Sequence, residues 1–272
     1  MLPQVLLNFN ISPKYSLLYM LNPLIFVDVL GNAHFEALMI FFFVLSLKYI
    51  QQNRMVLAGG ALAFSVATKL FPLLIIPYLF KAFKPKNTLL FMGSFGLILV
   101  VLFFPVHASP KFLAHFLESI LLYFKSFEFN ASVYYIARWI GEAIVGYNPI
   151  RVIGPSLGVI TLAIAVWLWF RQKLGYLSAA LRSVLWLSLT YYLFATTVHP
   201  WYIAFLLIVG IFVRRSFAVI WSVVVFFSYS AYETAFFEEN YILITLEYLI
   251  LAIAILYPKL TRRLITSPIR NL

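Results

Sequence analysis

The sequence predicts an all-α, polytopic integral membrane protein, and two observations carry that prediction. First, 64% of the 272 residues are hydrophobic and only 11% are charged, with a mean hydropathy of +0.96. Soluble domains carry about 25% charged residues, so a soluble fold of this length would expose too much apolar surface to water. Second, the apolar residues form long runs separated by short charged segments, which is the pattern of successive transmembrane helices.

The apolar runs divide the chain into strong and weak spans. The strong spans are residues 37–50, 55–69, 89–104, 155–170, 183–197, 201–213, 217–232 and 241–257. The weak spans are residues 15–29, which Asn22 and Pro23 interrupt, and the short run 72–83. Several runs fall below the ~20 residues that cross a bilayer, so we expect some tilted, broken or re-entrant helices. The prediction is about eight to ten transmembrane helices in one domain, residues 1–272.

The charged residues predict how these spans are oriented. Fifteen of the twenty Lys and Arg residues lie in segments without an acid, namely Lys14 and residues 48–54, 81–86, 171–182, 214–215 and 259–270. Eight of the nine acids lie in the alternate segments, and Glu247 lies one or two turns inside the span that follows. Because Lys and Arg accumulate in short cytoplasmic loops, we expect both termini in the cytoplasm and the acids on the outer or lumenal face. The net charge of +11 is therefore interpreted as membrane orientation and not as nucleic-acid binding.

One outer segment, residues 107–151, is about 45 residues long, whereas most connections have 2–6 residues. Within residues 110–127, Phe112, Phe116, Ile120 and Tyr123 recur every three or four positions. That spacing predicts an amphipathic helix that lies in the membrane interface. Residues 131–145 are a second apolar piece, which we expect to be interfacial or re-entrant. The acids of a later outer loop, residues 230–240, are interpreted as solvated.

The residue inventory excludes several kinds of chemistry. With no cysteine, the chain has neither disulfides nor thiolate metal sites. It contains no phosphate-binding loop and no glycine-rich dinucleotide motif, so cytosolic nucleotide chemistry is unsupported. No cluster of His and acids has metal-ligand spacing. We therefore predict no resident cofactor and no built metal site, and any metal would be a loosely bound Mg²⁺ or Mn²⁺ on carboxylates.

The first candidate site joins the outer end of one span to the start of the next. It contains five polar residues: Asn22, Asp28, Asn32, His34 and Glu36. A carboxylate near a histidine can act as a general base on a sugar hydroxyl, or it can orient an imidazole that does so. Ionisable groups near membrane depth are costly and mark functional sites. The alternative is that these residues cap two helices.

Three further candidates carry cationic or aromatic side chains on the outer face. Lys69 lies at the outer end of a span, against the charge sorting, and can pair with a phosphate or simply snorkel to the interface. His199 is followed by Trp201 and Tyr202, which can stack on a sugar ring or belong to the aromatic belt. Arg138 in the outer segment has the planar guanidinium that matches a phosphate.

Three short motifs resemble the GT-C superfamily of membrane glycosyltransferases. Asn22-Pro23 followed by Gly31-Asn32-Ala33-His34-Phe35-Glu36-Ala37-Leu38 looks like the family's Asn-Pro and Gly-Asn/His-x-acid-Ala-Leu stretch. Thr68-Lys69-Leu70-Phe71-Pro72 resembles its Thr-Lys-x-x-Pro step, and His199-Pro200-Trp201-Tyr202 its outer loop. Within the superfamily, the resemblance is to polyprenyl-phosphate-mannose-dependent mannosyltransferases, including the catalytic subunit of the first GPI mannosyltransferase.

The resemblance implies transfer of a hexose from a polyprenyl-phosphate donor to a lipid-linked or envelope-glycan acceptor. Mannose is the hexose that it leads us to expect. The resemblance places Asp28, His34 and Glu36 near the acceptor and the sugar, and Lys69, Arg138 and His199 near the phosphate. The chain departs from the family pattern in one respect. Family members keep an essential acid in a first outer loop that precedes the Asn-Pro segment, and here only ten residues precede Ile11. The chain is therefore expected to lack the N-terminal part of such an enzyme, or to use Asp28 or Glu36 instead.

Two other functions remain open from the sequence. A transporter or flippase of lipid-linked sugar would use broken helices, but it should also place ionisable residues at the bilayer midplane. A non-catalytic subunit of a glycan-assembly complex would tolerate substitution of Glu36, Lys69 and His199. The short loops favour the cytoplasmic membrane of a bacterium, and the endoplasmic reticulum membrane is the alternative. Expected partners are the lipid-linked donor, the acceptor, membrane lipids and a partner subunit.

Overall fold

The computed structural model describes residues 1–107, 111–233 and 237–261, and these fold as helices joined by short turns. Residues 108–110, in the predicted interfacial segment, and the basic residues after 261 lie outside the described ranges. The α-helices are α1 (Leu2–Asn8), α2 (Leu17–Met20), α3 (Glu36–Gln51), α4 (Met55–Thr68), α5 (Ile76–Ala82), α6 (Pro85–His107), α7 (Phe112–Lys125), α8 (Val133–Val145), α9 (Ile150–Arg171), α10 (Leu177–Phe194), α11 (Ile203–Val213), α12 (Ser216–Val224), α13 (Tyr241–Leu256) and α14 (Pro258–Thr261).

The prediction of an all-α, polytopic membrane protein is confirmed. Each strong span coincides with a helix, and no strand occurs in the described ranges. Three helical segments there are long and apolar enough to cross a membrane: Pro85–Pro105, Ile150–Arg171 and Leu177–Phe194. Only 11% of the first two is buried inside the protein, against 56% of the third. Thus few residues of α6 and α9 are buried inside the protein, whereas more than half of the apolar stretch of α10 lies among other helices.

The other apolar helices are shorter than a bilayer is thick. They include α4, α13 and the segments 71–82, 200–213 and 216–232. Within α11, ten of the eleven residues are buried, so this helix occupies the centre of the bundle between α10 and α12. The two weak spans are broken as predicted, since residues 15–29 divide into a 3₁₀ turn, α2 and a π-helix, and residues 72–83 into a 3₁₀ turn and α5.

Helices α3 and α4 form an antiparallel pair that positions the site. They are joined by only residues 52–54, so the start of α3 lies beside the end of α4. The Ser46 hydroxyl donates to the Ala58 carbonyl at 2.8 Å and the Ser65 hydroxyl to the Met39 carbonyl at 2.7 Å. On its other side α4 approaches α6 so closely that a Cβ on Gly59 would lie 2.1 Å from the Phe91 carbonyl oxygen. Small residues allow such close packing of membrane helices.

Irregular helical turns gather at the same end of the bundle. The π-helix Leu24–Leu30 contacts the 3₁₀ turn Pro200–Tyr202, which in turn contacts the 3₁₀ segment Val225–Tyr232. Another 3₁₀ turn, Phe71–Ile75, follows α4. Non-helical backbone at membrane depth is tolerated where it is buried in protein or lines a cavity, and π-turns are frequent at functional sites. The π-helix and the 3₁₀ turns therefore indicate that a site lies at this end of the bundle.

The outer segment contains two amphipathic helices. Helix α7 coincides with the predicted interfacial helix, and α8 with the second apolar piece. One face of α8 exposes Ile136, Trp139 and Ile144 at 63%, 73% and 76%. Its opposite face carries Tyr134 and Arg138, which contact other parts of the protein. Such a division suits a helix that lies in the membrane interface.

Candidate active site

The centre of the site is an ion pair between Glu36 and Lys69. Glu36 begins α3, where the helix dipole favours a carboxylate, and Lys69 directly follows α4. The Lys69 ammonium donates to Glu36 Oε1 and lies 4.9 Å from the centre of the Tyr202 ring. Glu36 is buried, whereas 35% of the Lys69 side chain is exposed. The second oxygen of Glu36, Oε2, is buried and has no hydrogen-bond partner within the described part of the chain.

This ion pair lines a cavity of about 300 Å³. Its polar lining residues are Glu36, Lys69, Thr196, Thr197 and Tyr202. The other lining residues are apolar or aromatic, and they include Met39, Phe71, Tyr191, Tyr192 and Phe205. A cavity that is mostly apolar, with a few polar groups converging on one side, is the usual form of a small-molecule site.

Beside the cavity, three rings form a continuous stack. The indole of Trp201 lies 4.1 Å from the imidazole of His34 on one side and 4.4 Å from that of His199 on the other. The His199 and Trp201 planes differ by only 6°. Tyr202 stands edge-on to both, at 5.3 Å from His199 and 5.9 Å from Trp201. Tyr202 therefore connects the stack to Lys69 and the cavity.

Asp28 lies beside His34, at one end of the ring stack. It lies in the π-helix, fully buried, and its Oδ1 accepts from Tyr229 Oη at 2.6 Å and from Asn32 Nδ2 at 3.0 Å. His34 Nε2 lies 3.6 Å from the same oxygen. This separation is longer than a hydrogen bond, so Asp28 is a close neighbour of the imidazole and not its hydrogen-bond partner. Asp28 does not line the cavity, so the structure gives it a supporting place.

His199 is held as a neutral imidazole. Burial lowers its pKa to about 4, and the nearby Lys69 and His34 add to the effect. Phe129 packs 5.1 Å from the His199 ring and closes it from solvent on the side away from Trp201. The Nδ1 atom of His199 is buried and has no hydrogen-bond partner in the described part of the chain. A neutral imidazole can exchange a proton or a hydrogen bond with a substrate without a fixed charge.

The structure brings six of the predicted site residues into the cavity or the ring stack and leaves four outside both, namely Asn22, Asp28, Asn32 and Arg138. Asn22 is buried, donates to Ser222 Oγ at 2.8 Å and accepts from the Leu24 amide at 3.0 Å, so it joins the start of the π-helix to α12. Asn32 acts through Asp28.

Arg138 lies in a separate polar cluster on α8. Its guanidinium pairs with Glu128, lies 3.6 Å from Glu142 and donates to Tyr241 Oη at 3.2 Å. Two carboxylates already neutralise it, so its proposed contact with a phosphate finds no support in this geometry. The outer acids were interpreted as solvated, but Glu239 accepts from Tyr135 and from the Asn130 amide, and burial raises the pKa of Glu239.

Several residues that build the site have no recognisable pattern in the sequence. Tyr192 donates to the Tyr202 carbonyl at 2.8 Å and stacks on Phe71, but a tyrosine inside an apolar run resembles ordinary membrane-helix composition. The same holds for Tyr229, which is 201 positions from its partner Asp28. Across residues 1–107, 111–233 and 237–261, no group of three or more His and acidic side chains is placed to hold a metal ion.

Comparison with known proteins identifies one family. The model of glycosyltransferase family 87 matches residues 14–197, which is more than half of the chain and includes the Glu36–Lys69 pair. None of the curated proteins and none of the solved structures compared with the chain matches it. His199, Trp201 and Tyr202 lie just beyond the matched range.

Proposed function

The chain belongs to glycosyltransferase family 87, and we propose that it is a GT-C-type hexosyltransferase that uses a polyprenyl-phosphate sugar, mannose in the first instance. The acceptor would be a lipid-linked or envelope glycan. The observation that carries this proposal is the convergence of one carboxylate and one ammonium, Glu36 and Lys69, on a single cavity at the end of the bundle. Transfer from a sugar phosphate needs both a base for the acceptor and a cation for the leaving phosphate.

The proposed step uses these groups in fixed roles. The acceptor hydroxyl oxygen attacks the anomeric carbon while Glu36 Oε2 takes the hydroxyl proton. The bond from the anomeric carbon to the phosphate oxygen breaks, and its electron pair leaves with the polyprenyl phosphate. Lys69 stabilises the charge that develops on that phosphate, since its other N–H donors remain available beside Glu36. The anomeric configuration inverts.

In this proposal the Tyr202 ring, which lines the cavity, contacts the sugar, and the aromatic stack holds that ring in place. Trp201 is held on both faces by His34 and His199, so its edge and the ring of Tyr202 are kept in fixed orientations. A pre-formed site avoids the cost of ordering side chains when the substrate binds. Asp28 lies beside His34 and borders the stack.

A second cavity supports a lipid-linked donor. It measures about 210 Å³, lies between α9 and α10, and is lined by apolar side chains with Gly158, Thr161 and Ala165 along one face of α9. Tyr191 and Ala195 line both cavities, so the two adjoin. An isoprenoid chain occupying the second cavity would place its phosphate beside Lys69 in the first.

A bulky side chain in the second cavity tests whether that cavity binds the lipid chain of the donor, separately from the chemical step. Gly158→Trp is expected to raise the KM for a long-chain polyprenyl-phosphate sugar by about tenfold, since blocking a few methylene contacts costs roughly 1–3 kcal/mol. A short-chain donor should be unaffected. Val159→Trp is the matched control, because Val159 is 67% exposed on the neighbouring position of the same helix. Equal effects of the two variants, or an equal effect on both donors, would contradict a lipid groove here.

The decisive experiment is a transfer assay with the purified full chain in lipid nanodiscs. Radiolabelled mannose on a polyprenyl phosphate is supplied with extracted membrane glycolipids, and transfer to a lipid product is expected. EDTA is expected to leave the rate unchanged, because Lys69 neutralises the phosphate in this proposal. Labelled sugar that crosses the bilayer without a new glycosidic bond would support a flippase. No transfer until a second subunit is added would support a partner-dependent or non-catalytic role.

The charge sorting carries the proposed location of the site. We propose that both termini face the cytoplasm and that the Glu36–Lys69 end of the bundle faces outside a bacterial cytoplasmic membrane, or the lumen in an endoplasmic reticulum membrane.

A further inference from the structure

A buried carboxyl group that does not line the cavity is connected to the His199 loop through one asparagine. This is Glu247, on α13, whose side chain is completely buried. Its Oε1 accepts from Trp221 Nε1 at 2.7 Å and from Asn130 Nδ2 at 3.2 Å. No basic side chain pairs with it within the described ranges. A carboxylate that is buried without a cation is costly, and such a group takes up a proton instead.

Two unsatisfied atoms in this contact point to the same conclusion. Glu247 Oε2 and Asn130 Oδ1 are both buried without a hydrogen-bond partner in the described part of the chain, and they are the second oxygens of two groups already in contact. A carboxylate and an amide oxygen are both acceptors only. A proton on Oε2 supplies a donor to a contact in which both remaining oxygens are acceptors.

Asn130 is fixed by its backbone as well as by its side chain. Its amide donates to Glu239 Oε1 at 2.6 Å, and its carbonyl accepts from Tyr248 Oη at 2.6 Å. It adopts a left-handed conformation with φ of 47°, which asparagine tolerates better than most residues. Three contacts from the C-terminal part of the chain thus converge on one residue of the outer segment.

The residues just before Asn130 pair with the site loop. The Phe129 amide donates to the Thr196 carbonyl at 3.0 Å, and the Val198 amide donates to the Phe129 carbonyl at 2.8 Å. This bridge places the Phe129 ring 5.1 Å from the His199 ring. Residues 127–130, which we name the strap, therefore close one side of His199.

We propose that Glu247, as a neutral carboxylic acid, is a positioning residue for the active site, because it holds the strap against the His199 loop through Asn130. The proposal rests on the function proposed above only for the catalytic consequence; the strap itself is a structural claim. Trp221, Glu239, Glu247 and Tyr248 all lie after residue 197, outside the part of the chain that the family model matches. The anchor is therefore argued from this chain's own contacts.

The first test is amide exchange in nanodiscs on Glu247→Leu and Glu247→Gln. Glutamine can donate to Asn130 Oδ1 and accept from Trp221 as the neutral acid does, so exchange at Phe129 and Val198 should stay within about twofold of the parent. Leucine leaves two donors unpaired, and exchange at both amides should be about tenfold faster or more. Glu118→Leu, at an exposed acid of α7, is the matched control.

The second test measures the His199 titration by NMR of labelled histidines, assigned with His→Gln variants. The charged and titratable groups that face His199 are Lys69, His34 and Tyr202, and all three remain in every variant. A loosened strap exposes the imidazole, so its pKa should rise from about 4 towards 6.5 in Glu247→Leu and stay low in Glu247→Gln. Asn130→Gly, which keeps the backbone conformation, should behave as Glu247→Leu does.

These outcomes separate the positioning role from the proposed function. Both measurements are made without substrate, so they decide the strap even if no transfer is detected. If transfer is detected, the acid limb of the pH profile of kcat/KM should shift with the His199 pKa in Glu247→Leu. In Glu247→Gln it should stay where it is in the parent. If Glu247→Gln changed amide exchange and the His199 pKa as much as Glu247→Leu does, the claim that Glu247 acts as a neutral acid would be overturned. A folded leucine variant with unchanged exchange and unchanged His199 pKa would overturn the positioning role.

Discussion

Glu36→Gln is expected to lower kcat for sugar transfer by about 10³-fold, because a positioned general base contributes roughly 10²–10⁴-fold to such a step. Glutamine has nearly the same shape but cannot take the acceptor proton. It also releases Lys69 from its ion pair, so the KM for the donor should stay equal or fall. The measurement is a steady-state analysis with the donor and the acceptor varied separately.

Two controls show whether this loss belongs to the base. Asp28→Asn should cost less, since Asp28 lies outside the cavity, beside His34. Glu118→Gln removes an exposed carboxylate and should have no effect. If Glu36→Gln retained most of the wild-type kcat while Asp28→Asn did not, the roles proposed for the two carboxylates would have to be exchanged.

The apolar pattern was sufficient to predict the helices. Each strong run of hydrophobic residues corresponds to a helix in the structure. Asn22-Pro23 marks the break between α2 and the π-helix Leu24–Leu30. This works because a backbone in lipid must satisfy its hydrogen bonds within each segment, so length and composition nearly determine the local structure. The motifs likewise singled out Glu36, Lys69 and His199 as candidates, since ionisable residues are rare in such a chain, and their roles stay predictions.

Pairing between those residues required the three-dimensional arrangement. Lys69 was expected near a phosphate, but its ion pair with Glu36 follows from the antiparallel packing of α3 and α4, which the sequence pattern did not reveal. Arg138 was assigned to the same phosphate, although Glu128 lies only ten positions away and neutralises it. Glu247 lies inside an apolar span, and its partners Trp221 and Asn130 come from distant segments. Long-range polar contacts have no periodic signature.

Lys69→Met is expected to have the opposite kinetic signature to Glu36→Gln. Loss of the cation should raise the KM for the donor and lower kcat/KM by about 10²–10³-fold, which is the usual cost of removing one stabilising group from a developing anion. Lys69→Arg keeps the charge and should recover part of the loss, although a guanidinium does not replace an ammonium at a compact site. The KM for the acceptor should change little.

The same substitution also leaves Glu36 buried without its cation, so stability must be separated from catalysis. Removing one partner of a buried pair is destabilising because the remaining charge is uncompensated, and here the cost is moderated by the 35% exposure of Lys69. Glu36→Gln/Lys69→Met removes both charges. Its melting temperature should return towards that of the parent while transfer stays abolished, a non-additive result typical of contacting residues. A double variant that melts as low as Lys69→Met would show that the ion pair is not what holds α3 and α4 together at this end, and a Lys69→Met enzyme with an unchanged donor KM would place the phosphate elsewhere.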